Sequence, residues 1–488
     1  MNSAKLAMIR RLARAGDTER AWSLFNESGL AAETSHVDTL ALKGRLYKDR
    51  ALKAAAKERS PLLQAARQAY LQAADNAPAT YPLINAATIA LLDGNRAQAA
   101  EVAERVMAML DSGEHEGDTA YWLGATRAEA CLLLGRNDDA RAALADAVRQ
   151  APRAWEDLAS TLRHFRLIHE MLGQSDDWLD AYRPPASVHF SGIIHVAPGQ
   201  SGSAAISEAL DTLRPGFGFG ALAAGADIMA AELLLERGAE LHIALPSSLE
   251  SFRHDSVSRY GADWEGRFDA VIEAADSIDE LDTLDQVSRS GVHVADEIAM
   301  GLAIRQARML ETGATALRIG QGTRAKDTAL DAAWQQRGLP VHHVALERTE
   351  PTAGSSIPVF AREAVIALPG RHEADELASA GGKVESLGSF TIVRFEDPVA
   401  AAKAALARVR EGEAQLGIAY DAYDPAASSV DRFETAIHIA GTAHPGRVPV
   451  SRSVALALTL EAPELRCENY GTIASAQGDI ALSVLAPA

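Results

Sequence analysis

Four residues in the run "FGFGALAAGADIMAAELLLERGAELHIALP" (217–246) could do chemistry: Gly220, Gly225, Asp227 and Glu232. The two glycines stand at the exit of a strand-like segment, where the lack of a Cβ lets backbone amides approach a phosphate or a ribose. A helix begins near Ala226-Asp227, and its N-terminus favours an anion. Asp227 can accept bonds from a sugar hydroxyl or cap that helix. Glu232 falls five residues on, inside the helix. The plainer alternative is that the glycines only shape a tight strand-to-helix turn and Asp227 is an ordinary N-cap. The spacing is neither a G-x-G-x-x-G fingerprint nor a P-loop.

The other chemistry-bearing residues point away from metal and thiol chemistry. His342 and His343 are adjacent in the strand-like "LPVHHVAL", so they face opposite sides and do not share a metal. "HEADE" (372–376) reads as a solvated turn. "DSIDELDTLDQ" (276–286) reads as a solvated acidic helix face, because it lacks the glycine and the closing glutamate of a calcium loop. Ser201 and Ser203 are expected to cap a helix rather than hold phosphate. Cys131 and Cys467, the only cysteines, read as buried thiols in a reducing compartment. No metal and no cofactor is expected.

The 488 residues carry a formal net charge of −19. That balance argues against nucleic acid or an acidic membrane surface as partner, since both demand basic patches. No apolar run approaches the ~18–20 residues of a membrane span. The charged start "MNSAKLAMIRRLARAGDTERAW" lacks the apolar core of a signal peptide. A soluble, cytoplasmic protein of bacterial type is expected.

Three patterns divide the chain. Residues 1–181 read as helix, with apolar residues at three- and four-residue spacing. "GDTERAWSLF", "GNRAQAAEVA" and "GRNDDARAAL" each place an alanine five residues after a glycine (Gly16, Gly94, Gly135). The glycine can end one helix in a left-handed cap, and the alanine lets the next pack closely. "YRPPAS" breaks this pattern. Residues 187–350 then alternate strand and helix, which implies a parallel sheet with helices on both faces. Residues 356–488 mix short strands with a helix at 397–411, an α+β pattern. The fold class is therefore multidomain: all-α helical repeats, then an α/β Rossmann-like sheet, then an α+β domain.

Each region resembles a family. The helical hairpins resemble tetratricopeptide repeats, which implies a protein partner on a concave face. "FSGIIHVAP", "GFGALAAGADIMAAELLLERGAELHIALP" and "VADEIAMGLAIRQARML" resemble the SLOG superfamily of Rossmann-like domains related to DprA and LOG proteins. By that resemblance Gly220, Gly225, Asp227 and Glu232 form a first nucleotide-ligand loop. "GQGTRAKD" (320–327) forms a second, with Gly322 and Thr323 near phosphate and Lys326 as counter-charge. The double-glycine loop with its following Thr and Glu, which LOG enzymes use, is not intact here.

"FTIVRFEDPVAAAKAAL", "LGIAYDA", "HPGRVPVS" and "NYGTIASAQG" resemble the class III adenylate/guanylate cyclase domain. Cyclase chemistry needs two divalent cations on two aspartates, and an Asn and Arg for the ribose and the developing charge. By the resemblance, the second metal position is Ser389, and the first falls at Arg362 or Glu363. The Asn position holds Glu434, the Arg position His438, and the base-selecting Lys position Gln477. About 27 residues separate Arg362 from Ser389, too few for the full unit. The resemblance thus implies a truncated, degenerate cyclase domain that can still pair.

The expected function is non-catalytic: a regulatory or scaffold protein that binds a protein through its repeats, senses a nucleotide-type ligand and self-associates as a dimer. The alternatives are a nucleotide or nucleoside-phosphate hydrolase acting through the central domain, and a purely structural assembly protein.

Overall fold

The computed structural model describes residues 2–14, 18–194, 196, 200–281, 284–320, 329–347, 357–370, 374–411, 415–424, 426, 428–443, 446–475 and 478–486. The chain forms two compact units, Met1–Pro184 and Pro185–Ala488.

The first unit is helical: α1 (Asn2–Arg14), α2 (Thr18–Glu27), α3 (Val37–Lys53), α4 (Ala56–Asn76), α5 (Thr80–Leu92), α6 (Arg96–Ser112), α7 (Ala120–Leu133), α8 (Asn137–Gln150) and α9 (Trp155–Leu172). α3–α4, α5–α6 and α7–α8 pack as successive hairpins. Gly94 (φ 83°) and Gly135 (φ 72°) take the left-handed conformation in the turns inside the second and third pairs, α5–α6 and α7–α8. Ala99 and Ala140, five residues on, are buried. Gly16 lies outside the described residues. α5 is buried along nearly its whole length because α4, α6, α7 and α9 surround it, so its sequence is apolar on every face.

The second unit holds two sheets. The first contains β1 (Ala186–Gly192), β2 (Pro215–Gly220), β3 (Glu240–Leu245), β4 (Ser277–Glu280), β5 (Ala314–Gly320) and β6 (Val341–Ala345), in the order β4-β3-β2-β1-β5-β6. All pairings are parallel. α10 (Gln200–Leu213), α11 (Ala226–Glu236), α12 (Leu249–Ser256), α13 (Ala262–Ala274), α14 (Arg289–Leu310) and α15 (Ala329–Gln336) connect them. The strand order runs outward from β1 to β4, then returns to β5. Right-handed crossovers therefore put α10, α11 and α13 on one face and α14 and α15 on the other. Side-chain alternation agrees: a Cβ on Gly218 would meet Leu234 of α11.

The acidic stretch at 276–286 departs from expectation. Ser277–Glu280 is the edge strand β4, not a helix face. Its backbone pairs with His242–Leu245 of β3, and Asp276 Oδ2 accepts from Leu241 N at 2.7 Å. A free sheet edge outweighed local preference, as strand context commonly does. Ser201 and Ser203 also fall inside the first turn of α10 rather than before it.

The second sheet contains β7 (Ala361–Pro369), β8 (Lys383–Leu387), β9 (Phe390–Phe395), β10 (Gly417–Tyr423), β11 (Val448–Ser451), β12 (Arg466–Ser475) and β13 (Gly478–Ala486), ordered β12-β13-β11-β10-β7-β9-β8. Its helices are α16 (Asp375–Ser379), α17 (Pro398–Glu411), α18 (Ser429–Gly441) and α19 (Arg452–Glu461). Phe433 and Ile439 of α18 pack on Val365, Ala367, Ala419 and Tyr423. The alternate residue Tyr420 faces the other way, toward α14.

The two sheets are joined through α14 and α19. A Cβ on Gly301 would lie 2.5 Å from the Leu456 carbonyl oxygen, so the helices cross at a distance only glycine permits. Residues that read as two domains in sequence share this contact inside one compact unit.

Candidate functional site

β1 and β5 are neighbours whose onward connections leave in opposite directions. Ligands of open α/β sheets bind at such a switch point, outside the carboxyl ends of the strands. Gly192 ends β1 there, and its amide donates to Asp227 Oδ1 at 2.6 Å. Ala223 N, in the loop after β2, donates to Asp227 Oδ2 at 3.2 Å. The Ala226 amide donates to the Ile193 carbonyl at 3.1 Å. One buried carboxylate thus ties the end of β1, the loop after β2 and the start of α11 together. Burial pushes the Asp227 carboxyl up to about 8, against the pull of its two amide donors.

Gly225 (φ 113°, ψ −127°) sits immediately before α11 in a conformation that a side chain would strain. Gly220 has a different reason. A Cβ there would lie 2.4 Å from the Phe190 carbonyl oxygen, so this glycine serves the approach of β2 to β1. Glu232 is not with them. It lies further along α11, held by Arg267 of α13 with Nε–Oε1 at 2.7 Å, while that guanidinium covers the Trp264 ring. Gly322, Thr323 and Lys326 lie outside the described residues.

Beside this turn stands a polar cluster that sequence reasoning missed. His189 is fully buried in β1. Its Nδ1 lies 2.7 Å from Arg318 Nη1, and its Nε2 lies 3.5 Å from Asp296 Oδ1. Arg318 also donates to Asp331 Oδ1 from Nε (2.8 Å) and Nη2 (2.5 Å). Burial, then the Arg318 charge, lowers the His189 imidazole. Asp296 is about a quarter exposed and is the least enclosed carboxylate of the group. The sequence signal was a histidine and an arginine inside otherwise apolar strands, which is unusual for buried positions.

In the second sheet, Ser389 lies in the β8–β9 turn after Gly388 (φ 58°). β7 pairs with β9 so that Pro369 faces Phe390 and Ala364 faces Phe395. The residues beside the turn are therefore Pro369 and Gly370, whose amide donates to the Ser389 carbonyl at 2.6 Å. Arg362 and Glu363, assigned from sequence to the same metal site, stand at the far end of β7. Seven residues of strand, roughly 23 Å, intervene. Glu363 is taken up structurally, by Arg394 at 2.9 Å and Arg432 at 2.8 Å. Arg362 faces Glu297 of α14 at 3.9 Å. Glu434 and His438 are one turn apart on α18, where His438 Nδ1 contacts the Glu434 carbonyl oxygen at 3.0 Å. Gln477 lies outside the described residues. Only the five-residue α16 separates β7 from β8 among the described residues. No group of three or more His, Cys, Asp or Glu among them is placed to hold a metal. None of their helices is long and apolar enough to cross a membrane.

Residues 4–184 match the family model of the MAP3K TRAFs-binding domain. The first unit and the matched segment end at the same residue, Pro184. A solved structure, an adenylate/guanylate cyclase/hydrolase from Silicibacter pomeroyi, is similar at 16% identity. It covers 26% of this chain and 98% of its own, with a TM-score of 0.22, too low to decide fold or chemistry. No curated protein matches the chain.

Proposed function

We propose that this chain is a cytoplasmic regulatory or scaffold protein of signalling. Its helical unit binds a protein partner, and its parallel sheet senses a nucleotide-type ligand at the carboxyl ends of β1 and β2. The observation that carries the ligand reading is Asp227. It locks Gly192, Ala223 and the start of α11 into one preformed turn at the switch point, with Gly225 leaving the helix N-terminus uncluttered. Similarity of residues 4–184 to a domain named for binding TRAFs supports the protein-contact role. The helical unit also has a groove of about 420 Å³ on which Arg10, Arg45, Glu116 and the half-exposed Tyr81 border.

The degenerate cyclase-like sheet serves association in this reading, and the protein is a dimer. Light scattering of the full chain at micromolar concentration tests this, and a monomer removes it. For the ligand, calorimetry with a panel of nucleoside mono- and diphosphates is expected to give a binder lost in Gly225→Val. Silence across the panel leaves the structural-assembly reading.

A hydrolase remains the second reading, because Asp296 is a partly open carboxylate 3.5 Å from the Nε2 of a buried histidine. Release of free base from a nucleoside monophosphate, abolished in Asp296→Asn, would establish it.

A further inference from the structure

A cavity of about 870 Å³ opens on the α14 face of the parallel sheet, along the last turns of α14 and the start of β12. Arg305, Arg308, Arg452 and Arg466 line it, against a single acid, Glu468. Phe219 and His242 form an aromatic wall, their rings stacked at 4.8 Å and 13°. A second cavity, about 300 Å³, shares Arg308 and Pro463 with the first and adds Arg337 and Thr312. Arg337 Nη1, Arg337 Nη2 and Thr312 Oγ1 are buried with no hydrogen-bond partner.

This gathering of cations is out of keeping with the chain. The protein carries a net charge of −19, yet here arginines crowd one another. Arg452 has a partner in Asp279. Arg305, Arg308, Arg337 and Arg466 form no ion pair among the described residues. Burial and then Arg308 lower the Arg337 guanidinium; burial and then Arg466 lower Arg308. The nearby Glu464 is bound to Lys403 at 3.1 Å. The negative end of α14 offsets about half a charge at most. The buried guanidinium nitrogens of Arg337, which have no acceptor, are costly in an empty site and are satisfied by an anion, toward which the more exposed Arg308 and Arg466 also contribute charge.

We propose that these joined cavities form an anion site for a small polyphosphate-bearing molecule of the nucleoside di- or triphosphate class, distinct from the turn at Asp227. Guanidinium forks match phosphate oxygens in pairs. The aromatic wall offers a face for a base, and the larger cavity, at about 870 Å³, lies within the ~300–1,000 Å³ of small-molecule sites. The arginines come from α14, the end of α15, α19 and β12. A bound polyphosphate therefore bridges the parallel sheet and the second sheet, and its occupancy sets how firmly the two are joined.

The test uses the full chain, with ATP and inorganic pyrophosphate as probes, followed by calorimetry and thermal melting. Both probes raise the melting temperature of the parent protein. The double variant Arg308→Gln/Arg337→Gln melts no lower than the parent without ligand, because mutual repulsion is relieved. It loses the response and binds ATP at least roughly tenfold more weakly. Asp296→Asn, which belongs to the other site, keeps the pyrophosphate response, so failure of one site is separable from failure of the other. Three results overturn the proposal: no binding at millimolar probe, a double variant that melts lower yet binds ATP unchanged, or a polyglutamate peptide that binds in preference to both probes. The last would assign the cavity to an acidic segment of a protein.

Discussion

Tyr420 Oη donates to Glu297 Oε2 at 2.6 Å, joining the second sheet to α14 across 123 residues of chain. Glu297 is almost fully buried, and His293 Nε2 and Arg362 Nη1 lie 3.3 and 3.9 Å from its other oxygen. Burial raises Glu297 well above the usual carboxylate range; Glu461 of α19 adds to the rise and is itself raised by burial.

A pH dependence follows from that pair. Both carboxyls have higher pKa values folded than unfolded, so the folded state binds the extra proton. Their contribution is complete below the ordinary value of 4.5 and is lost as pH rises through the raised folded values. Urea midpoints of the full chain are expected to fall from pH 5 to pH 8. Glu461→Gln removes one of the competing carboxyls and flattens the fall. Parallel slopes for the two proteins would exclude the pair as its source.

Gly301→Ala tests the helix crossing. Alanine gains about 1 kcal/mol of helix propensity over glycine. Here the new methyl lies 2.5 Å from the Leu456 carbonyl oxygen and 2.9 Å from the Leu456 Cα, backbone atoms that cannot rotate away. Overpacking of this kind costs about 1–3 kcal/mol, so a net loss of stability is expected. Denaturant unfolding followed in the second unit measures it, and a stabilised variant would mean that the helices do not cross this closely.

Glu116 anchors the helical unit from the loop before α7. It accepts from Thr80 N at 2.6 Å, Tyr81 N at 2.9 Å and Thr80 Oγ1 at 3.0 Å, so it caps α5 in place of a local residue. Glu116→Ala is expected to cost about 1–2 kcal/mol, in the range of a lost N-cap. Glu116→Gln should retain part of it. Thermal unfolding of the three proteins reads the order directly, and equal stability of the alanine variant and the parent would deny the cap any role.

The second sheet is expected to make no cyclic nucleotide. By the sequence resemblance Ser389 takes one metal position; Pro369 and Gly370 beside it bring no carboxylate, and Glu363 is held by two arginines. Hard cations need carboxylate oxygens. Incubation of pure protein with ATP or GTP and Mn²⁺, read by mass spectrometry, should match a blank. Metal-dependent cyclic product would overturn this.

Local pattern determined a good deal by itself. The glycines at 94 and 135 and the alanines after them follow from how a helix must end and the next one pack. The strand exit at Gly220 and the helix start at Ala226 were legible because periodicity changes from two to 3.6 there. The turn at Gly388-Ser389 was legible as a glycine in a hairpin. Tertiary structure decided the rest. Ser277–Glu280 became a strand because β3 offered an edge. Arg362 lies away from Ser389 because strand register, not sequence distance, sets what lies beside that turn. His189, Asp296, Arg318 and Asp331 come from four elements, and the arginines of the large cavity from three more distant stretches. No sequence window contains such groups together, because side chains far apart along the chain meet only where close-packed helices and sheets bring their faces into contact.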